Sequence, residues 1–123
     1  MRRAGALLAL CLAACGPDYG GLAIEVEGAA LPGDAVEPRR VSLVLGHVVR
    51  VHARPRSLSA QVYEDPKRFD LASADETIGR VYRDAEDWRW VIVARSVGTT
   101  CLEVLIDGRR EECVELEVEA EAG

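Results

Sequence analysis

The sequence predicts an all-β sandwich of about seven to eight short strands behind a cleaved N-terminal signal segment. Two observations predict the sandwich. From Ala23 onward, apolar residues recur at every second position in short runs broken by turn residues. No stretch keeps a helical period, although Ala72–Ile78 has room for one helical turn. A third observation predicts the signal: Met1-Arg2-Arg3 is basic, and an uncharged, mostly apolar run follows from Ala4 to Ala14. That run is shorter than the roughly 20 residues a transmembrane helix needs.

The apolar run ends in small residues directly before Cys15. Leu12-Ala13-Ala14-Cys15 resembles the lipobox of bacterial lipoproteins, precursors whose cysteine thiol receives a diacylglycerol and becomes the first mature residue. The resemblance implies lipidation at Cys15; Cys11 is a poorer acceptor, because the bulky Leu10 precedes it. It also implies that Gly16, standing where an aspartate would retain the product at the inner membrane, favours the outer membrane of a Gram-negative host. Each buried methylene contributes about 0.8 kcal/mol, so two or more acyl chains make the anchor effectively permanent. Residues 1–14 are then the signal peptide, 15–22 a lipidated tether and 23–123 the folded domain.

The strands follow in order. Ala23–Glu27 alternates briefly, and Ala29–Arg39, with Pro32, Gly33 and Pro38, reads as a loop. Val41, Leu43 and Leu45 form one strand face. Val49, Val51 and Ala53 form the next, with Val48, Arg50, His52 and Arg54 turned the other way. Ala60–Tyr63, Phe69–Leu71 and Ile78–Tyr82 are short strands, and an acidic turn spans Asp84–Asp87. Trp88–Ala94 is rich in aromatic and β-branched residues, which puts Trp88 and Trp90 on one face, as core or as a cap over the sandwich end in preference to a ligand platform. Thr99–Ile106 and the run through Val114, Leu116 and Val118 form a terminal hairpin.

Composition bounds function. Removal of the signal leaves 109 residues and takes Arg2 and Arg3 but no acid, so the net charge moves from −6 to −8. Such a domain repels nucleic acid. Cys101 and Cys113 are the even pair left after the signal and the anchor, and an exported chain oxidises such a pair. A three-residue loop Ile106-Asp107-Gly108 places Cys101 directly opposite Cys113 and Leu105 opposite Arg109, with both cysteines on the outer face.

Three segments resemble bacterial immunoglobulin-like domains of the group 2 type. Val44-Leu45-Gly46-His47-Val48-Val49 is similar to that family's entry into its second strand. Asp70–Val81 is similar to its serine, small, acid, then β-branched segment, and Ala94–Thr100 to the run before its last hairpin. The resemblance covers residues 41–119, and departs where Phe69 replaces a tryptophan and Asp84–Asp87 replaces a glycine turn. It implies an immunoglobulin-like sandwich used for adhesion, spacing, or contacts with carbohydrate or protein partners, and it implies no catalytic residue.

Candidate sites are few. Asp70, Asp75 and Glu76 lack the glycine and acid spacing of a calcium loop, and the same holds for Asp84, Glu86 and Asp87. His47 and His52 are the only histidines and neither is near a cysteine, so no metal, cofactor or catalytic set is expected. Arg50, His52 and Arg54 share a strand face and form the candidate partner-binding cluster. The expected function is a non-enzymatic binding, adhesion or structural role at the cell envelope, with the membrane reached through lipid and an envelope protein or polysaccharide as partner. The alternative is an immunoglobulin-fold protease inhibitor of the chagasin type. Its inhibitory elements are missing, since Arg54-Pro55-Arg56 lacks the required aromatic.

Overall fold

The computed structural model describes residues 18–59 and 63–122. The expected lipidation site, Cys15, and the signal lie outside the described residues. The strands are β1 (Tyr19–Val26), β2 (Ala35–Val36), β3 (Arg40–Val44), β4 (Val48–Ser57), β5 (Phe69–Ser73), β6 (Gly79–Arg83), β7 (Arg89–Ala94), β8 (Gly98–Ile106) and β9 (Arg109–Glu119). They form two facing sheets. The first has the order β1-β4-β7-β6, and the second β2-β3-β9-β8-β5. All ladders are antiparallel except β3 with β9.

Alternation decides which residues meet between the sheets. Val49, Val51, Ala53, Trp90 and Ile92 point inward from the first sheet, and Leu43, Phe69, Leu102, Val104, Val114 and Leu116 from the second. Phe69 and Trp90 meet edge to face, centroids 5.5 Å apart, so the large aromatic of the core comes from β7 while β5 supplies Phe69. Gly79 is buried against the Leu116 side chain across the core, which leaves no room for a Cβ. Pro55 sits inside β4 without a broken ladder. Its nitrogen points the same way as that of Ala53, whose N–H reaches Trp88, and β7 has ended by residue 55.

The structure corrects the sequence reading in five places. Nine strands stand among the described residues where about seven to eight are expected; one of them, β2, lies within the expected loop Ala29–Arg39. β1 takes in Tyr19–Leu22, which the sequence pattern places in the tether. The Gly20-Gly21 pair hides the alternation there, and the ladder bulges between Tyr19 and Gly21. Of the expected strand Ala60–Tyr63, residues 60–62 lie outside the described set and Tyr63 is a buried residue outside any strand. Trp88 belongs to the turn before β7, with a left-handed φ of 65°, so it does not share a strand face with Trp90.

The fifth correction is the hairpin register. Asp107 (φ 51°) and Gly108 (φ 80°) make a two-residue turn with both central residues left-handed, and Ile106 pairs with Arg109. A bulge then inserts one extra residue in β9, so Val104 pairs with Glu112 and Leu102 with Val114. Cys101 lies opposite Glu115, and Cys113 opposite Glu103. The disulfide Cys101–Cys113 therefore forms across a diagonal pair, with Cα atoms 5.2 Å apart, rather than across a directly opposed one. Both cysteines remain on the outer face, since Leu102, Val104, Val114 and Leu116 fill the inner one.

Candidate binding surface on the first sheet

β4 presents Val48, Arg50, His52, Arg54 and Arg56 on the outer face of the first sheet, the face the alternation predicts for Arg50, His52 and Arg54. The structure separates the three in role. Arg50 lies opposite Val91 and its guanidinium is 3.8 Å from Asp84, an exposed ion pair of little energetic weight. His52 is half-buried between Glu25 of β1 and Arg89 of β7. Arg89 is committed elsewhere, 3.0 Å from Glu27 and 2.7 Å from Glu86.

Arg54 is the structured member. Its Nη2 donates to the Tyr63 carbonyl at 2.7 Å, and its guanidinium lies 4.6 Å from the centre of the Trp88 ring. Trp88 is in turn held by Ala53 and Phe69, and Ala53 is itself tied to Trp90. The Trp88 carbonyl accepts the Ala53 N–H at 2.8 Å, its ring lies 6.0 Å from Phe69, and the neighbouring Trp90 indole donates to the Ala53 carbonyl at 3.3 Å. This set of contacts holds a bulky residue in the left-handed region, where it would not rest alone. Trp88 thereby caps the sandwich end, one of the two roles expected of it.

A cleft of about 450 Å³ opens beside this cap, lined by Glu25, His52, Arg54, Arg56, Asp87 and Trp88 among others. Charges of both signs line it, so it offers donors and acceptors together beside an aromatic wall. Arg50 is not among the residues lining it. Arg56, Glu25 and Asp87 join the cleft without belonging to the cluster of Arg50, His52 and Arg54 that the sequence picks out. The strand period could have added Arg56, two positions beyond Arg54, whereas Glu25 and Asp87 arrive only through pairing and turn geometry.

The other polar groups serve local structure. Asp34, whose side chain is 1% exposed, accepts the Val44 N–H at 2.8 Å and sits 3.0 Å from His47 Nδ1, tying the loop before β2 to the β3–β4 turn. Asp75 accepts the Thr77 hydroxyl at 2.6 Å and its N–H at 3.0 Å, and these bonds hold its carboxyl below the usual aspartate range. Asp70 faces Arg83 at 3.4 Å, away from the Asp75 turn. Among the described residues, no three His, Cys, Asp or Glu side chains are placed to hold a metal ion. Tyr19 donates to Glu112, linking the first strand to the last, and burial followed by that carboxylate pushes its hydroxyl far above the ordinary tyrosine value.

No family model and no curated protein matches this chain. Solved structures do. It is similar to the surface layer protein SbsC, domains 1–6, with a TM-score of 0.58 and 11% identity over 88% of this chain. It is also similar to SbsC domains 4 and 5, with a TM-score of 0.50 and 11% identity over 84% of this chain. The likeness is one of fold. The chain spans 14% of the first of those structures and 53% of the second.

Proposed function

We propose that this chain is an envelope lipoprotein whose mature part is an immunoglobulin-like domain with a non-enzymatic binding or structural role. The anchor rests on Leu12-Ala13-Ala14-Cys15 and on the basic-then-apolar order before it. The fold type is supported by strand order. β1-β4-β7-β6 corresponds to the A-B-E-D sheet of immunoglobulin domains, and β9-β8-β5 to the G-F-C sheet, with β3 added beside β9. The similar solved structures are named as surface layer protein domains, which supports an envelope setting and a structural role.

The observation that carries the reading is that only Gly16, Pro17 and Asp18 separate Cys15 from Tyr19 in the sequence, and β1 begins at Tyr19. A fully extended chain covers at most about 3.6 Å per residue, so a lipid on Cys15 would hold the end of the sandwich where β1 begins close to the bilayer. That end carries the Asp107-Gly108 turn and the β4–β5 connection. Gly16 after the anchor favours the outer membrane in a Gram-negative host. The partner, an envelope protein or polysaccharide, would meet the face of β4, with the cleft beside Trp88 as its centre.

Palmitate labelling of cells expressing the chain tests the anchor. Label is expected in the wild type and lost in Cys15→Ser, with the substituted protein unprocessed or released from the membrane fraction. Label persisting in Cys15→Ser would refute the assignment. Pull-down of the lipidated protein from its own envelope, compared with His52→Ala, tests the surface.

A further inference from the structure

We propose that the Cys101–Cys113 disulfide is a thiol-exchange site, attacked at Cys113 and selective for cationic thiols. Three observations on the outer face of the second sheet carry this. Cys113 is exposed while Cys101 is half-buried, so the two sulfurs are not equally reachable. Arg110 donates toward the Cys101 sulfur. Its Nη2 lies 3.7 Å from Cys101 Sγ, and its Nε is 3.7 Å from the Glu103 carboxylate. Acids stand across the ladder from both sulfurs, Glu103 opposite Cys113 and Glu115 opposite Cys101, with Arg110 3.7 Å from the first and Arg40 3.3 Å from the second.

The electrostatics follow from this placement. A thiolate attacks Cys113 Sγ and forms a new S–S bond; the Cys113–Cys101 bond breaks, and its electron pair leaves on Cys101 Sγ. The departing thiolate forms beside the Arg110 guanidinium, which stabilises it and makes Cys101 the better leaving group. If the attacker is a dithiol, its second thiolate then displaces Cys113, so the dithiol loses two electrons and the protein disulfide gains them. Around the bridge the outer face carries Glu103, Glu115 and Glu117 against Arg40 and Arg110, and this acidic excess repels an anionic thiol and attracts one that carries a positive charge. The reactant this site fits is an exported dithiol whose cysteines lie in a basic setting. β9 stays paired with β3 on one side and β8 on the other, so the reduced domain keeps its fold and the exchange is reversible.

The test uses the full chain carrying Cys11→Ser and Cys15→Ser, so that only this pair reacts. Cysteamine and 2-mercaptoethanesulfonate are compared at equal thiolate concentration. The expected result is a rate first-order in thiol and about tenfold higher for cysteamine at low ionic strength, the ratio falling toward one near 1 M salt. Acid-quenched mixed disulfide is expected on Cys113. Arg110→Ala is expected to slow exchange and spread the adduct over both sulfurs, and Arg110→Lys to restore most of the wild-type behaviour. Equal rates for the two thiols at low salt, an adduct mainly on Cys101, or a rate independent of thiol concentration would each overturn the proposal. The last would mean that exchange waits on unfolding.

Discussion

Arg54 and Arg50 stand on the same strand face, and the structure predicts that they differ several-fold in what they contribute to stability. Arg54→Ala removes a charge-assisted bond to the Tyr63 carbonyl at 2.7 Å, a class of interaction worth about 1.5–3 kcal/mol. It also removes a guanidinium stacked 4.6 Å from Trp88, worth about 1 kcal/mol at a half-buried site. The two are coupled, so the expected loss is about 2–3 kcal/mol rather than their full sum. Arg50→Ala removes only an exposed contact of 3.8 Å to Asp84, and is expected to change stability by no more than about 0.5 kcal/mol. Urea unfolding of both variants measures this, read as a shift in midpoint at unchanged m-value. A double-mutant cycle of Arg54→Ala with Trp88→Leu should return about 1 kcal/mol of coupling. If Arg54→Ala loses no more than Arg50→Ala, Trp88 does not cap the sandwich end through Arg54. The prediction also bears on the binding surface. Replacing Arg50, His52 and Arg54 together would mix loss of contact with loss of structure, so His52→Ala and Arg50→Ala are the informative variants.

Three further outcomes are expected. Asp34→Ala should lose about 2–3 kcal/mol in the same unfolding assay, because a carboxylate with a 1% exposed side chain leaves the Val44 N–H and His47 together, while Asp34→Asn, which keeps an acceptor for Val44, should lose about 1. Gly79→Ala should lose about 1–3 kcal/mol, since the new methyl meets Leu116 in a filled core, and Leu116→Val in the same chain should recover part of it. Asp107→Asn should flatten the acid limb of the stability curve. Arg68 holds the Asp107 carboxyl below its ordinary value of 3.8, so its contribution is complete above that value and is lost as pH falls through the lower folded value. Asparagine tolerates the left-handed φ of 51°, so the pH dependence below about 4 isolates the charge, and urea midpoints from pH 5 to 2.5 would read it.

Period-two patterning predicts the inner faces of β4, β7, β8 and β9 because each side of those strands meets a different medium. It fails where that contrast is missing. Tyr19–Leu22 contains two glycines, which report neither face, and β2 is too short to show a period. Trp88 carries a strand-favouring side chain in a turn conformation that propensity disfavours, and only contacts with Ala53, Phe69 and Arg54 hold it there. The binding cluster is readable to the extent that β4 supplies it. Its acidic partners are not, because Glu25 comes from the β1 ladder, while Asp84 and Asp87 come from the β6–β7 turn. A basic run in the sequence is thus a mixed-charge surface in the fold.

The terminal hairpin shows how a disulfide can be inferred correctly from a register that is not the one adopted. The three-residue loop and the observed two-residue turn with a bulge both keep Cys101 and Cys113 on the outer face, because each adds one residue to the simplest hairpin. They differ in which residues oppose one another, and Asp107-Gly108 selects the tighter turn because its twist matches that of the strands. This makes a deletion test possible. The extra residue lies between Arg110, which pairs with Leu105, and Glu112, which pairs with Val104; it is Glu111. Deleting Glu111 removes the bulge and leaves every pair from Val104–Glu112 to Gly98–Val118 intact, so the disulfide should form fully and stability should change by about 1 kcal/mol or less. Deleting Glu103 instead shifts Gly98–Leu102 by one position against both β9 and β5, turning Leu102 outward and Cys101 into the core. That variant should fail to fold. Mass spectrometry for the disulfide and circular dichroism for the fold would compare the two, and equal tolerance of both deletions would refute the bulged register.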